Sequence, residues 1–413
     1  MNLKFNIAII STSRSEFGVL KEVILHLSKI SKLTLFIGGS HLVDNSSSEE
    51  IKNFIHTLDL NAVELKHSEI EKINSLNPLK QVSVLGEMSK LMVSHFEKLN
   101  IDLLIMLGDR WELLSAATSA LFVRIPVAHI SGGEVTEAAI DENIRHSITK
   151  MSHLHFVACE KYAENVSSMG EEDWRITISG ETGLDWIYKN KIINFEQTMN
   201  KLGIPTNNKL ILFTYHPISY GNDSLLKEEI SQICISLKSL KEFTVLITGP
   251  GYEIGSEYVR AEFRKIIKQE KHIFYHENLG RENYLSIMSG AVMVVGNSSS
   301  GIYESPSLGI KSINIGDRQK GRERASSTID IPCSSELITK TVRENIKING
   351  KIKDKLIQNP YDPFKDGRNS LRVARACVNA LKVFTRNQLL HKKFCKDIKK
   401  NQWNSFLPKD IKY

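Results

Sequence analysis

The run Leu103-Leu104-Ile105-Met106-Leu107 stops at Gly108 and is followed at once by Asp109 and Arg110. A helix-period segment then leads to a second apolar run, Ile125 to Ile130, which breaks at Gly132-Gly133 and releases Glu134. Asp141 and Glu142 follow, then Arg145 and His146. Short apolar runs without polar alternation are the mark of strands covered on both faces, and such strands build parallel sheets flanked by helices. Ligands bind these sheets where the carboxyl ends of the strands open into loops. Two neighbouring strands would therefore deliver acids, an arginine and a glycine turn to one place.

Each of these features also has a plainer reading. A Gly-Asp pair after a strand is often only a turn. Asp141 and Glu142 suit the positive end of a helix running to about Met151. Asp141 and Arg145 stand four residues apart and would meet as a helix-surface pair. His129 lies inside an apolar strand, where a satisfied core histidine is the common outcome. The coincidence of all of them within one short stretch favours a functional site.

The same alternation runs through the chain. Strands are expected at 6–12, 33–37, 101–107, 125–130, 153–158 and 174–179, with helices between them. Residues 44–85 are polar and carry no clear period. Polar residues 189–208 resemble a linker, after which strands recur at 210–214, 244–248, 272–275, 292–295 and 312–315. Strands and helices at this pitch imply right-handed βαβ units. The expected fold class is α/β, with two Rossmann-like doubly wound domains: residues 1–188 with the acids, and residues 205–370. A closing helix at 371–385 and a basic tail at 386–413 complete the division.

A chain of 413 residues is long for one core. The net charge of +7 is partly local, since residues 386–413 hold Arg386 and seven lysines against Asp397 and Asp410. Such a tail is ordinarily a solvated or frayed end, and nucleic acid is not expected as a partner. Five cysteines at 159, 234, 333, 377 and 395 lack C-x-x-C spacing, which argues for a reducing compartment and against a zinc site. No long apolar segment indicates a signal peptide or membrane span, so a cytoplasmic protein without membrane partners is expected. No G-x-G-x-x-G loop or metal-ligand cluster occurs, so neither cofactor nor metal is expected.

The second half has polar strand ends of its own. Phe213-Thr214-Tyr215-His216-Pro217 sets a histidine just past a strand. Gly296-Asn297-Ser298-Ser299-Ser300 ends another strand in an amide and three hydroxyls, suited to a phosphate. Serines also cap helices, and that reading stays open. Asp317-Arg318-Gln319-Lys320-Gly321-Arg322 brings a cationic cluster after a third strand, and arginine matches phosphate or uracil oxygens in forked geometry.

Taken together, these motifs resemble the hydrolysing UDP-N-acetylglucosamine 2-epimerases of bacterial sialic-acid pathways, with a close cousin acting on UDP-N,N'-diacetylbacillosamine. The resemblance spans roughly residues 5–385. It rests most on residues 145–156 (RHSITKMSHLHF) and on Gly296-Asn297-Ser298-Ser299-Ser300-Gly301-Ile302 with Glu304. It implies a glycosyltransferase-B-like fold that binds a UDP-sugar in the cleft between domains, in a homo-oligomer, dimer or tetramer. By resemblance, Arg14 and Arg110 hold diphosphate or sugar. Asp109, Glu134 and Asp141 carry the acid/base work, and His216 supports it. Ser298, Ser299 and Glu304 hold the diphosphate and ribose, and Arg318 the nucleotide.

The chain departs from the pattern at Ser131, where part of the family has a glutamate implicated in catalysis. It departs again at Pro250-Gly251-Tyr252-Glu253-Ile254-Gly255, which lacks the relatives' asparagine, and residues 359–370 keep only part of a tyrosine–glycine–aspartate–glycine turn. The implied reaction explains the need for acids. The hydrogen on sugar carbon 2 becomes removable as the bond from carbon 1 to UDP breaks. A carboxylate takes that proton while cations stabilise the diphosphate. Water then adds to the glycal at carbon 1, a proton arrives at carbon 2 from the opposite face, and the 2-epimer is released. The rivals are the same reaction on a diacetamido sugar, a glycosyltransferase of the same fold, and a UDP-sugar-binding regulator disabled at Ser131.

Overall fold

The computed structural model describes residues 5–43, 45–70, 78–137, 140–189, 194–218, 223–251, 255–347 and 357–411. The chain forms two units, one of residues 1–134, 141–186 and 363–413, the other of residues 135–140 and 187–362. Among the described residues, no helix is long and apolar enough to cross a membrane.

The first unit holds strands β1 (Asn6–Ser11), β2 (Lys32–Ile37), β3 (Asn61–Glu64), β4 (Leu103–Leu107), β5 (Val127–Ile130), β6 (Leu154–Val157) and β7 (Ile176–Ile178). They pair in parallel in the order β3-β2-β1-β4-β5-β6-β7, with Ile7 opposite both Leu33 and Leu103. Side chains alternate between the two faces of a strand. One face buries Ile7, Ile9, Leu35, Leu103 and Ile105 against Phe17, Leu20 and Ile24 of the helix Arg14–Ser28. The other buries Ala8, Ile10, Phe36, Leu104 and Met106 against Met88, Met92 and Phe96. Two covered faces are why these strands read as unbroken apolar runs.

The second unit repeats the plan with β8 (Leu210–Thr214), β9 (Thr244–Thr248), β10 (Ile273–His276), β11 (Met293–Gly296), β12 (Ser312–Ile315) and β13 (Thr328–Ile331). Their order is β10-β9-β8-β11-β12-β13, again all parallel. In each sheet the order reverses at one point, between β1 and β4 and between β8 and β11, where a doubly wound sheet opens a crevice for a ligand.

Three sequence expectations are corrected. The polar stretch expected as a linker forms the helix Phe195–Lys201, whose Met199 is buried with Ile204, Leu210 and Ile287 in the core of the second unit. The unplaced region contains the helix Asn45–Leu58 and β3, an edge strand whose exposed residues Asn61, Ala62 and Glu64 carry no apolar signal. The basic tail is not frayed. Trp403, Leu407 and Ile411 are buried, and the helix Asn369–Val383 packs Ala374 and Cys377 onto the first unit.

Buried polar groups hold this tail. Arg175 donates to the carbonyls of Leu389 (2.8 Å) and His391 (2.9 Å), and Trp403 Nε1 donates to Asp173 (2.7 Å). Lys392 Nζ reaches the carbonyls of Lys150 (2.8 Å) and Ser152 (2.6 Å) and the fully buried Glu171 carboxylate (2.7 Å). Burial alone would raise the Glu171 pKa, but the His155 hydrogen bond and the charges of His155 and Lys392 outweigh it and bring it down to about 2. Breaking a buried pair by removing one partner leaves an uncompensated charge. Lys392→Ala is expected to destabilise the fold by about 2–4 kcal/mol, measured by urea unfolding. A change below about 0.5 kcal/mol, the range of ordinary surface substitutions, would show that Lys392 is not part of the clamp.

Candidate active site

Asp109 and Arg110 leave the end of β4, Ser13 to Glu16 leave the end of β1, and Ser131 to Glu134 leave the end of β5. All three loops stand at the carboxyl edge of the first sheet, around its reversal point. Ser131 takes a positive φ of 64° and Gly133 one of 74°. The chain turns there so tightly that a Cβ on Gly133 would meet the Tyr162 carbonyl oxygen at 2.6 Å. A glycine is required at this position, and the turn returns Glu134 to a buried place beside Arg145.

Arg145 organises the first cluster. It lies on the helix Asp141–Met151 and is 1% exposed, so it is no helix-surface partner. Its guanidinium donates to the Asp109 carboxylate, to Glu142 Oε2 at 2.9 Å and to the Glu134 carbonyl at 3.0 Å. Burial would lower the Arg145 pKa, but Asp109, Glu134 and Glu142 overcome this and hold it above the ordinary value. Glu142 also bonds His146 Nε2 at 2.9 Å.

His129 in β5 is a satisfied strand residue with a positional duty. Burial brings its pKa down to about 4, against the pull of its hydrogen bond to the Gly108 carbonyl. The ring is therefore neutral at pH 7, and because a carbonyl only accepts, Nε2 carries the proton it donates at 2.7 Å. That bond anchors the peptide immediately before Asp109.

Arg110 organises the second cluster. It donates through Nη2 to Glu112 Oε1 at 2.9 Å, and Glu112, Glu16 and Asp141 all act on its charge. Glu16 takes hydrogen bonds from the Thr12 amide (2.8 Å) and the Thr12 hydroxyl (2.7 Å). Burial nonetheless pushes the Glu16 carboxyl up to about 7, with Arg110 opposing and Glu112 reinforcing the rise. Arg14, at the start of the helix after β1, directs Nε toward Glu50 Oε2 at 3.3 Å. Glu16, Glu112, Glu142 and Arg145 were not among the sequence-derived site residues. The spacing Ser13-x-x-Glu16 reads as a helix-capping box, and Glu112 reads as an acid at the start of a helix.

The second unit gathers the other expected residues around its own reversal point. Gly296 ends β11 with φ 132°, where a Cβ would stand on the Thr214 carbonyl of β8. Asn297 then ties the neighbouring turns together. Its Oδ1 accepts the His216 amide and its Nδ2 donates to the His216 carbonyl, both at 2.7 Å. Its carbonyl accepts from Arg318 (3.1 Å) and Gln319 (2.9 Å). His216 Nδ1 accepts the Gly251 amide at 3.1 Å, while Tyr252, Glu253 and Ile254 lie outside the described residues. Ser298 and Ser299 precede the helix Ser300–Ser307, and the Ser300 hydroxyl bonds both Ser298 (3.1 Å) and Tyr284 (2.6 Å). Burial raises the Glu304 pKa, with Arg281 opposing it across 3.8 Å.

The raised carboxyl of Glu16 has a measurable consequence. Between its ordinary 4.5 and about 7, the folded chain keeps a proton that the unfolded chain has lost, so wild-type stability falls as pH rises through that window. Glu16→Gln, which keeps an acceptor for Thr12, is expected to gain on the wild type from pH 4.5 to 7 and level off above. The gain is on the order of 3 kcal/mol, read from chemical denaturation at each pH. A stability difference that is the same at pH 5 and pH 8 would contradict the assignment.

The profile of the UDP-N-acetylglucosamine 2-epimerase family matches residues 25–377. The GDP/UDP-N,N'-diacetylbacillosamine 2-epimerase (hydrolyzing) of Campylobacter jejuni is 34% identical, covering 79% of this chain and 84% of the relative. The polysialic acid biosynthesis protein P7 of Escherichia coli is 30% identical over 91% of this chain and 92% of its own length. The crystal structure of UDP-GlcNAc 2-epimerase from Neisseria meningitidis bound to UDP-GlcNAc shares the fold, with a TM-score of 0.73 at 19% identity. The likeness covers 91% of this chain and all of that one. With a profile match over most of its length and relatives matched nearly end to end, the chain belongs to the UDP-N-acetylglucosamine 2-epimerase family.

Proposed function

We propose that the chain is a hydrolysing 2-epimerase of a UDP-2-acetamido sugar. It would convert UDP-N-acetylglucosamine and water to N-acetylmannosamine and UDP. UDP-N,N'-diacetylbacillosamine is the second candidate, because the Campylobacter jejuni relative carries that sugar in its name. The observation that carries the reading is the Asp109–Arg145 pair at the carboxyl edge of the first sheet, with Glu134 and Glu142 on the same guanidinium.

In this reading Asp109 and Asp141 carry proton transfers at sugar carbon 2. Arg145 and the His129–Gly108 bond hold Asp109 in one orientation, which lowers the cost of reaching the reactive geometry. In the second unit, Ser298, Ser299 and the helix start at Ser300 would take the departing diphosphate. Glu304 would take a ribose hydroxyl, Arg318 the nucleotide, and His216, stitched to Asn297 and Gly251, would support the chemistry. A glycosyltransferase would use such a cradle equally but would have no use for the carboxylates around Arg145.

The test is incubation with each UDP-sugar alone, without an acceptor alcohol, followed by proton NMR. Release of UDP with a free 2-epimeric sugar is expected, and in deuterated water the product must carry deuterium at carbon 2. Asp109→Asn and Asp141→Asn are each expected to lower kcat by roughly 100-fold or more, and wild-type rates in both would remove these residues from the chemistry.

Glu134 is assigned the acid/base role that Ser131 cannot fill. Loss of a proton-transfer group lowers kcat, whereas loss of uniform binding raises KM. Glu134→Gln is therefore expected to lower kcat with KM little changed, in steady-state kinetics over substrate concentration. A normal kcat with a raised KM would make Glu134 a binding residue instead.

A further inference from the structure

We propose that Glu112 is a positioning residue, whose buried carboxylate fixes the Arg110 guanidinium in the orientation with which it meets the UDP-sugar. The proposal rests on the epimerase reading for its substrate but not for its geometry. The Glu112 side chain is 0% exposed, while the Arg110 side chain is 36% exposed and follows the end of β4 at the carboxyl edge of the sheet. Glu112 stands immediately before the helix Leu113–Val123, and its side chain makes no hydrogen bond to the first turn. Its carboxylate turns instead to Arg110, at 2.9 Å.

The pairing is incomplete in a way that a purely stabilising ion pair would not be. Glu112 Oε2 and Arg110 Nε are both buried and lack hydrogen-bond partners among the described residues. A buried ion pair offsets its desolvation only when the remaining lone pairs and protons are satisfied, and a hydrophobic pair of similar volume often does as well. Unmet groups of this kind mark places where stability is given up for another purpose. Here the purpose is direction. A guanidinium presents its donors in a rigid planar fork, so gripping one edge aims the others.

This role predicts a sign opposite to simple electrostatics. A UDP-sugar is an anion, so removing the Glu112 charge would tighten binding if Arg110 acted only as a point charge. If Glu112 aims Arg110, the same removal weakens catalysis. The experiment measures kcat and KM on whichever of the two UDP-sugars the wild type turns over, for Glu112→Gln, Arg110→Lys and the double variant. Glu112→Gln is expected to lose about 10- to 100-fold in kcat/KM, the scale of a misplaced contact. On the Arg110→Lys background, which has no fork to aim, it is expected to lose less than about twofold. An equal loss on both backgrounds, or a gain from Glu112→Gln, overturns the proposal.

Glu112→Asp keeps the charge and withdraws it by one methylene. It is expected to lose nearly as much as Glu112→Gln, and full activity would overturn the proposal. It also decides the matter if thermal melting shows that Glu112→Gln does not fold. If the wild type turns over neither UDP-sugar, the epimerase reading fails. The same cycle is then run on UDP affinity by calorimetry, where non-additive losses support positioning and additive ones refute it.

Discussion

A guanidinium sealed from solvent must have carboxylates close by, and Arg145 sets the terms for the loops after β4 and β5. Removing one partner from a buried pair costs about 3–5 kcal/mol. Asp109 and Glu142 are therefore held where Arg145 requires them, and the Glu134 carbonyl is fixed by the same side chain. The helix that carries Arg145 is tied at its far end, where Lys392 takes the carbonyls of Lys150 and Ser152. The C-terminal segment thus belongs mechanically to the element that places the acids, although it lies far from them in the chain.

The two arginines divide the work by exposure. Arg145 is buried, and it donates to Asp109, Glu142 and the Glu134 carbonyl. Arg110 is partly exposed and is gripped on one edge only, which leaves donors for a ligand. A set of carboxylates this dense could not be held in one place without both cations. Glu16 shows the margin, since its carboxyl stays protonated to about pH 7 beside Arg110 and Glu112.

Much of this was readable from the chain. Unbroken apolar runs ending in glycine located nearly every central strand, because strands covered on both faces have no polar alternation to confuse them. The edge strand β3 was invisible because its exposed residues look like a loop, and β13 because its residues are only half-buried or exposed. Asp109 and Glu134 stood out because they follow strand ends closely and Asp141 because it opens a helix, while their acid/base roles came from the family resemblance. Arg145 was seen, with a surface pair to Asp141 as its plainer reading, since helical spacing says which residues are neighbours and not which face is buried. Glu16 and Glu112 were hidden by ordinary local roles, a capping box and a helix start. Burial beside Arg110, across the sheet for Glu16 and within the same loop for Glu112, distinguishes them. The tail misled for the same reason, because its lysines look solvated until Glu171 and two carbonyls are placed opposite Lys392.

Charge balance also bears on the serine at position 131, where part of the family carries a glutamate. Ser131 sits at a positive φ that non-glycine residues adopt uncommonly, and its amide bonds the Phe156 carbonyl at 2.8 Å. The turn is thus set by the backbone and does not need a particular side chain there. A glutamate at this point would add a carboxylate to the turn that carries Glu134, which already acts on Arg145 together with Asp109 and Glu142. Like charges at that range raise each other's pKa. Serine adds no charge there. In the proposed reaction, the proton transfer of that extra acid falls to one of the groups already present. Glu134, two glycines further along the same turn and acting on the same guanidinium, is the group we propose for it.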